Sequence, residues 1–495
     1  MIPYQRGVPA VVESGRVRLV RRYCRPHRLL HPAEPVLDAR RYGLPRDQLY
    51  LATTSRRWIT APWQQSAIVI GPPGSGKSRS VIAPNVLLWD GPVVATSSKR
   101  DLLDLCVGMR THRGTVWVFD PLAVMGEVPR GTRRLCWSPL RGCADHDVAS
   151  LRAAHLAVDT RGVENGGFWA TRGRQLLAEL FHAAALGGVP MSTVHSWVAE
   201  QRLAPALALC ERHGARRSLE VLQSLQAGEE RQLRSVLAQA SAMLSAFDSS
   251  RILGQADQAG SCGFDPYDFL DRPDAVFVVC PSDAQVNIAP LVVGVVEEIR
   301  STALRISDRS PSGELPLPLL LALDEVANIA PLPSLPAILA EGRARSIVVL
   351  CAFQTYGQAE ALWGQRADGL VFGGGCSLFL AGVRDEVVLR RLELLGGRHF
   401  VPEVTRSVSR STRGPLGGVK FWEVQHTVSE NHGWVEVPRL PAGVIAAVEP
   451  PRAWLLMRGL PVGLVDVLGL SGVEPFRTWA DARPVVEVLP RVASR

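Results

Sequence analysis

Lysine is nearly missing from this chain of 495 residues. Of 55 basic residues only Lys77, Lys99 and Lys420 are lysine, and all the others are arginine. A compact ammonium and a planar guanidinium fork are not interchangeable where a tight cradle must hold one charge. The lysines that remain therefore mark places to look for chemistry. Long apolar runs are missing too. The longest, "LPLPLLLAL" (315–323) and "SIVVLCAF" (346–353), fall short of the ~18 apolar residues a membrane helix needs and have the length of buried strands. The N-terminus lacks the apolar core of a signal peptide, so the expected location is the cytoplasm. None of the nine cysteines forms a CxxC pair. That excludes a disulfide scaffold or a paired-cysteine zinc module and leads us to expect reduced thiols. Cys24, His27 and His31 bring three soft ligands together; the missing fourth ligand and the arginine-rich setting weigh against a metal site there.

A hydrophobic content of 46% is that of a globular protein. The net charge of +8 leans toward anionic partners. It is uneven: residues 1–60 carry twelve arginines against four acids. That arm suits nucleic acid, an anionic membrane surface or plain solvent.

Short β-branched runs bounded by turn residues recur along the chain: 66–70, 92–96, 115–120, 275–280, 317–324, 347–351, 377–381 and 453–457. They are apolar on both faces, which predicts strands of a buried parallel sheet covered by helices. Residues 142–258 break the series with helical periodicity. The spacing predicts helices over 168–188, over 192–214 with Pro205 as a kink or break, and over 228–247. The expected architecture is an α/β, RecA-like P-loop nucleotide-binding domain with an inserted all-α domain. Its expected segments are a basic arm (1–60), a nucleotide-binding domain in two parts (61–141 and 259–465) around the insertion (142–258), and a C-terminal tail (466–495). The stretch after 400 is rich in Ser, Thr, Arg and Gly and reads as a loop or loose hairpin.

"GPPGSGKSRS" (71–80) follows one of the strand runs. Gly71-Pro72-Pro73-Gly74-Ser75-Gly76-Lys77-Ser78 fits GxxxxGK[ST], in which backbone N–H groups cradle phosphates. In that motif Lys77 reaches the β/γ oxygens and the Ser78 hydroxyl ligates Mg²⁺. Hydrolysis also needs an acid for the metal and a base for water. The apolar strand ending in Asp324-Glu325 offers both: Asp324 toward Mg²⁺ and Glu325 toward water. Gln354, at the tip of the next strand, is placed to sense the γ-phosphate. Arg343 and Arg345 lie just before that strand; on position alone each reads as a surface arginine.

Together these residues resemble the TraG/TraD-like type IV coupling proteins of conjugation. The resemblance runs from about residue 60 to 465. It rests on "AIVIGPPGSGKSRSVIAPNVLLWDGPVVATSSKRDLLDL" (67–105), "FVVCPSDAQVNIAPLV" (277–292) and above all "LALDEVANIAPLPSLPAILAEGRARSIVVLCAFQTYGQAEALWG" (321–364). The family implies an ATP- and Mg²⁺-dependent homo-hexamer that passes a relaxase–DNA complex to a type IV secretion channel, with sequence-independent contacts to DNA. It further implies a trans role for Arg343, a second motif at Lys99, and Phe168-Trp169 at the opening of the helical domain. Two departures stand out. The transmembrane helices usual in the family have no counterpart here, so membrane association is expected to run through partners at the inner face of the cell membrane. Ser97 stands where many members carry an acid. Lys420 has no assigned role. An FtsK/HerA-type DNA translocase, or a nucleotide-binding receptor that does not hydrolyse, remain alternative readings of the same residues.

Overall fold

Each buried strand divides its side chains between two apolar layers, and that division builds the molecule. The strands are β1 (Cys24–Pro26), β2 (Tyr50–Thr54), β3 (Arg57–Thr60), β4 (Ala67–Ile70), β5 (Val93–Ser97), β6 (Val116–Phe119), β7 (Thr132–Arg134), β8 (Ala275–Val279), β9 (Leu319–Leu323), β10 (Ile347–Phe353), β11 (Cys376–Leu380), β12 (Arg398–Arg413), β13 (Glu423–Pro438), β14 (Arg452–Met457) and β15 (Gly463–Asp466). The computed structural model describes residues 24–26, 48–54, 57–156, 166–281, 285–373, 375–413, 423–472 and 476–484. In β4, Ile68 and Ile70 enter one layer while Ala67 and Val69 enter the other. In β9, Leu319, Leu321 and Leu323 oppose Leu320 and Ala322 in the same way. Both faces are dry, as the continuous apolar runs require.

The main sheet has the order β1-β3-β2-β15-β14-β11-β4-β10-β9-β5-β8-β6-β7. From β11 to β7 every pairing is parallel. Beyond β11 the sheet turns antiparallel, through β14, β15, β2, β3 and β1. The run at 453–457, read as one more parallel strand, is thus antiparallel. Its apolar composition reports burial and says nothing of direction. The fold class is the expected α/β one, with helices inserted in the series of strands.

Between β7 and β8 only helices occur among the described residues, including His146–His155, Gly166–Gly187, Glu230–Met243 and Ser250–Asp257. The single helix expected over 192–214 is two, Met191–Ala199 and Ala204–Arg212, and Pro205 sits in the first turn of the second. Proline suits that turn because its missing N–H has no intrahelical acceptor to lose. Phe168 and Trp169 meet edge to face near the start of Gly166–Gly187. The helix Gln285–Arg309, the longest among the described residues, packs against the helix His146–His155 of the insertion and shares one apolar layer with the sheet. Its Glu298 pairs with Arg152 at 3.1 Å and accepts from Trp137 Nε1 at 2.6 Å.

One further finding departs from the sequence reading and two sharpen it. Cys136 and Cys262 are disulfide-bonded, with Cα atoms 5.9 Å apart, whereas Cys106, Cys143, Cys210, Cys280, Cys351 and Cys376 are free and buried. The pair is 126 residues apart in sequence, a separation that no spacing rule connects. The stretch after 400 is a regular two-stranded ribbon of β12 and β13, sixteen residues each. In the C-terminal segment Phe476 and Trp479 are buried, and Phe476 stacks on Trp58 and meets Tyr50 edge-on. Of Cys24, His27 and His31, only the Cys24 backbone lies within the described residues, as does none of Lys420. Among the described residues no three His, Cys, Asp or Glu side chains could hold a metal ion, and no helix is long and apolar enough to cross a membrane.

Candidate functional site

The loop after β4 lies at the carboxyl edge of the parallel strands, with β10 and β11 on either side. Gly71 N–H donates to the Phe353 carbonyl at 3.1 Å, which ties the loop to the end of β10. Gly74 and Gly76 have φ of 77° and 88°, backbone that costs other L-residues roughly 1–2 kcal/mol. A Cβ on Gly71 would stand 2.6 Å from Ser75 Oγ and 2.9 Å from Leu380 Cβ. These glycines let the loop take left-handed turns at Gly74 and Gly76 and close tightly against Leu380. Lys77–Ile82 then winds as a wide π turn and runs straight into the helix Ala83–Leu88, whose residues are all buried.

Lys77 is buried, and its Nζ donates to the carbonyls of Gly71 at 2.6 Å and Pro72 at 3.1 Å. The ammonium is folded back over its own loop, within the cradle the loop forms. Burial lowers its pKa from the ordinary value, while Asp324 and Glu325 act to raise it. The Ser78 hydroxyl donates to Asp324 Oδ2, which joins two residues 246 positions apart. Burial raises the Asp324 carboxyl above the usual aspartate value, against the hydrogen bond from Ser78. Asp324 itself is held by its neighbours. Its carbonyl accepts from Thr96 Oγ1 at 3.1 Å, and its Oδ1 accepts from the Glu325 N–H at 3.1 Å. Glu325 has φ of 50°, an uncommon left-handed conformation for a residue with a Cβ, which turns the chain out of β9 at this point. Gln354 Nε2 approaches Glu325 Oε1 at 3.4 Å. Phosphate loop, Asp324, Glu325 and Gln354 thus share one edge of the sheet.

The donor set fits a magnesium nucleotide. Lys77 has only carbonyl partners, Ser75 Oγ is buried without a partner, and a hydroxyl and a carboxylate already meet at Ser78–Asp324. Those oxygens are the hard ligands Mg²⁺ takes.

Arg343 is not in this group. It lies in the turn Gly342–Arg345 before β10, at the opposite edge of the sheet. Seven strand residues separate the two edges, roughly 20 Å. Its guanidinium stands over the Trp63 ring, 5.7 Å from the centroid. Arg345 is engaged locally, with Asp308 and with Ser307 Oγ at 3.1 Å. Lys99 is exposed after β5, and its N–H donates to the buried Ser97 Oγ at 3.3 Å. Serine at 97 therefore serves the turn into the Lys99 segment. Sequence reasoning missed Thr96, whose acceptor lies 228 residues away. It also missed Gly382, whose Cβ position is 3.1 Å from Pro72 Cγ. The signals were present, a hydroxyl inside an apolar run and a glycine just beyond a strand, but neither names its partner.

A P-loop nucleotide-binding fold with a helical insertion and a metal-type acid beside the loop defines a class of protein. The chain belongs to the type IV secretory system conjugative DNA transfer family, whose model matches residues 28–386. The TraG/TraD-like resemblance read from the motifs is this family, and the role it gives is conjugative DNA transfer in a type IV secretory system. No curated protein matches in sequence. Among solved structures, the bacterial conjugative coupling protein TrwBdeltaN70 superposes with a TM-score of 0.61 at 20% identity, covering 86% of this chain and 90% of that one. The plasmid coupling protein TrwB in complex with ADP and Mg²⁺ gives 0.58 at 20% identity, covering 82% and 85%. TrwB with a non-hydrolysable GTP analogue gives 0.59 at 20%, covering 83% and 88%. At this identity the likeness is one of fold.

Proposed function

We propose that this protein hydrolyses ATP with Mg²⁺ and uses the energy to move DNA toward a type IV secretion channel. The observation that carries the reading is the convergence of Lys77, Ser78, Asp324, Glu325 and Gln354 at one edge of the sheet, from three separate parts of the chain. Backbone N–H groups of Gly74 and Gly76 hold the β-phosphate, since Pro72 and Pro73 carry none and those of Gly71 and Ser75 donate to the Phe353 and Pro72 carbonyls, and Lys77 turns from its loop carbonyls to the β/γ oxygens. Ser78 and Asp324 hold Mg²⁺, which when bound neutralises charge on the phosphate oxygens. Glu325 accepts the proton of the attacking water, and Gln354, already beside Glu325, responds to the γ-phosphate.

Arg343 is too far from its own phosphate loop to act there. Its exposed position at the opposite edge suits insertion into the site of the next subunit, as in a ring of six. Binding to DNA is sequence-independent, through arginines on phosphates. A relaxase–DNA complex and channel proteins are the partners, and the membrane is reached through them at its cytoplasmic face. The segments proposed are 61–141 and 259–465 for the motor, whose sheet β2 and β3 of the segment before residue 61 extend, and 142–258 for the helical domain.

DNA-stimulated phosphate release from the purified protein tests this. Glu325→Gln should lower turnover at least ~100-fold while leaving nucleotide binding within about threefold. Turnover that is absent with any DNA, or unchanged in Glu325→Gln, overturns it.

A further inference from the structure

The ribbon of β12 and β13 lies beyond the residues that the family model matches, and nothing proposed for the nucleotide site uses it. Its register pairs Phe400 with Glu436, Pro402 with Trp434, Val404 with His432, Arg406 with Glu430 and Val408 with Val428. Strand alternation puts all of these on one face. Phe400 is 66% exposed, Trp434 70%, Val404 54%, Val408 64% and Val428 52%. The opposite face is plainly polar along its middle, with Thr405, Ser407 and Ser429, and Ser407 and Ser429 hydroxyls meet at 2.7 Å.

A two-stranded sheet is marginal in water on its own, and a large uncovered apolar face marks an interaction site. The five apolar side chains expose on the order of 500 Å². One partner in a standard interface contributes about 800 Å², a little over half of it apolar. The ribbon face therefore supplies the apolar share of one side of a stable association.

Charge points to what lies on it. On this face β12 carries Arg398 and Arg406, and β13 carries Glu436 and Glu430, paired across the ribbon at 3.7 Å and 3.1 Å. One long side is positive and the other negative. A second ribbon turned over onto this face, tip in the same direction, sets its glutamates above the first ribbon's arginines. The same operation covers Trp434, Phe400 and the valines of both. At the foot of the ribbon Arg398 and Pro438 also line a groove of about 460 Å³ with Leu389, Glu393 and Leu394 of the helix Glu386–Gly396, which extends the same surface toward the body.

We propose that the β12–β13 ribbon is a self-association element: two copies of this chain pack ribbon face on ribbon face about a two-fold axis running along the ribbon. The contact is separate from any ring contact at the nucleotide site.

Sedimentation velocity of the full chain without nucleotide, over a range of concentrations, tests it. Wild type should show a concentration-dependent dimer. Phe400→Ser with Trp434→Ser should weaken that dimer at least ~tenfold. Arg406→Glu alone and Glu430→Arg alone should weaken it too, and the two together should restore it. Binding of a fluorescent ATP analogue and the melting temperature should stay at wild-type values, which shows the variants fold. A wild type that remains monomeric, or Ser variants that dimerise like wild type, overturns the proposal. So does a ribbon that carries the protein onto lipid vesicles or another protein and never onto a second copy. DNA-stimulated turnover measured in parallel separates the two readings: a monomeric ribbon variant that still hydrolyses ATP leaves the proposed function standing.

Discussion

Lys77 shows how much one residue can say. In a chain that uses arginine almost everywhere, it keeps an ammonium that fits between the Gly71 and Pro72 carbonyls at 2.6 and 3.1 Å. A guanidinium is wider and planar and cannot fold back over that loop. Lys77→Arg should therefore weaken ATP binding at least ~tenfold, read by titration with a fluorescent analogue, with melting temperature little changed. Gly76→Ala tests the backbone of the same loop. With φ at 88° and Ser80 Oγ 3.0 Å from the added Cβ, it should cost about 1–2 kcal/mol, measured by urea unfolding. At this scale much was legible. Lys77, Ser78, Asp324 and Glu325, which the structure brings to one edge of the sheet, stand out in the sequence because local spacing and the ends of apolar strands mark their positions. Thr96 does not, because its role is to hold a carbonyl 228 residues away.

Elements were legible by existence more than by arrangement. The apolar runs became strands because a segment dry on both faces has few other places to go. Helix Gln285–Arg309 shows what the runs could not reveal. At Gly294 a Cβ would come within 2.3 Å of the Trp137 ring, so Gly294→Ala should cost about 1–3 kcal/mol by overpacking, checked by thermal melting. The same helix carries Glu297, which pairs with Arg300 at 2.6 Å, accepts from Ser334 Oγ and faces His155 at 3.9 Å. Burial lowers the His155 imidazole to about 4; Arg152 and Arg300 act in the same direction, and Glu297 opposes them. The unfolded chain holds that proton below about pH 6.5, while the folded one refuses it until about 4. Stability is therefore lost as pH falls through this window and levels off below it. The loss across the whole window is on the order of 3 kcal/mol. Urea midpoints at pH 7, 5.5 and 4.5 should fall less steeply in His155→Gln than in wild type.

The whole molecule raises a question that no single chain answers. The phosphate loop stands at one edge of the sheet and Arg343 at the other. If the arginine serves a neighbour's site, Lys77→Ala and Arg343→Ala should each be inactive alone. Mixed together they should regain turnover, because some interfaces then join an intact Lys77 to an intact Arg343. Phosphate release across mixing ratios reads this directly, and a mixture no better than its parts removes the trans role.

Sequence by itself determined the class of fold, the places of the glycine loop and of the acidic pair Asp324-Glu325, and the helical interruption, since each is written in local periodicity or short spacing. Tertiary structure alone decided the antiparallel direction of β14 and its edge, the Cys136–Cys262 bond, the grip of Thr96 on Asp324 and the exposed ribbon after Arg398. The physical reason is the same in every case. Burial and backbone preference act on neighbours along the chain, whereas strand direction, pairing and exposure depend on partners that folding brings from hundreds of residues away.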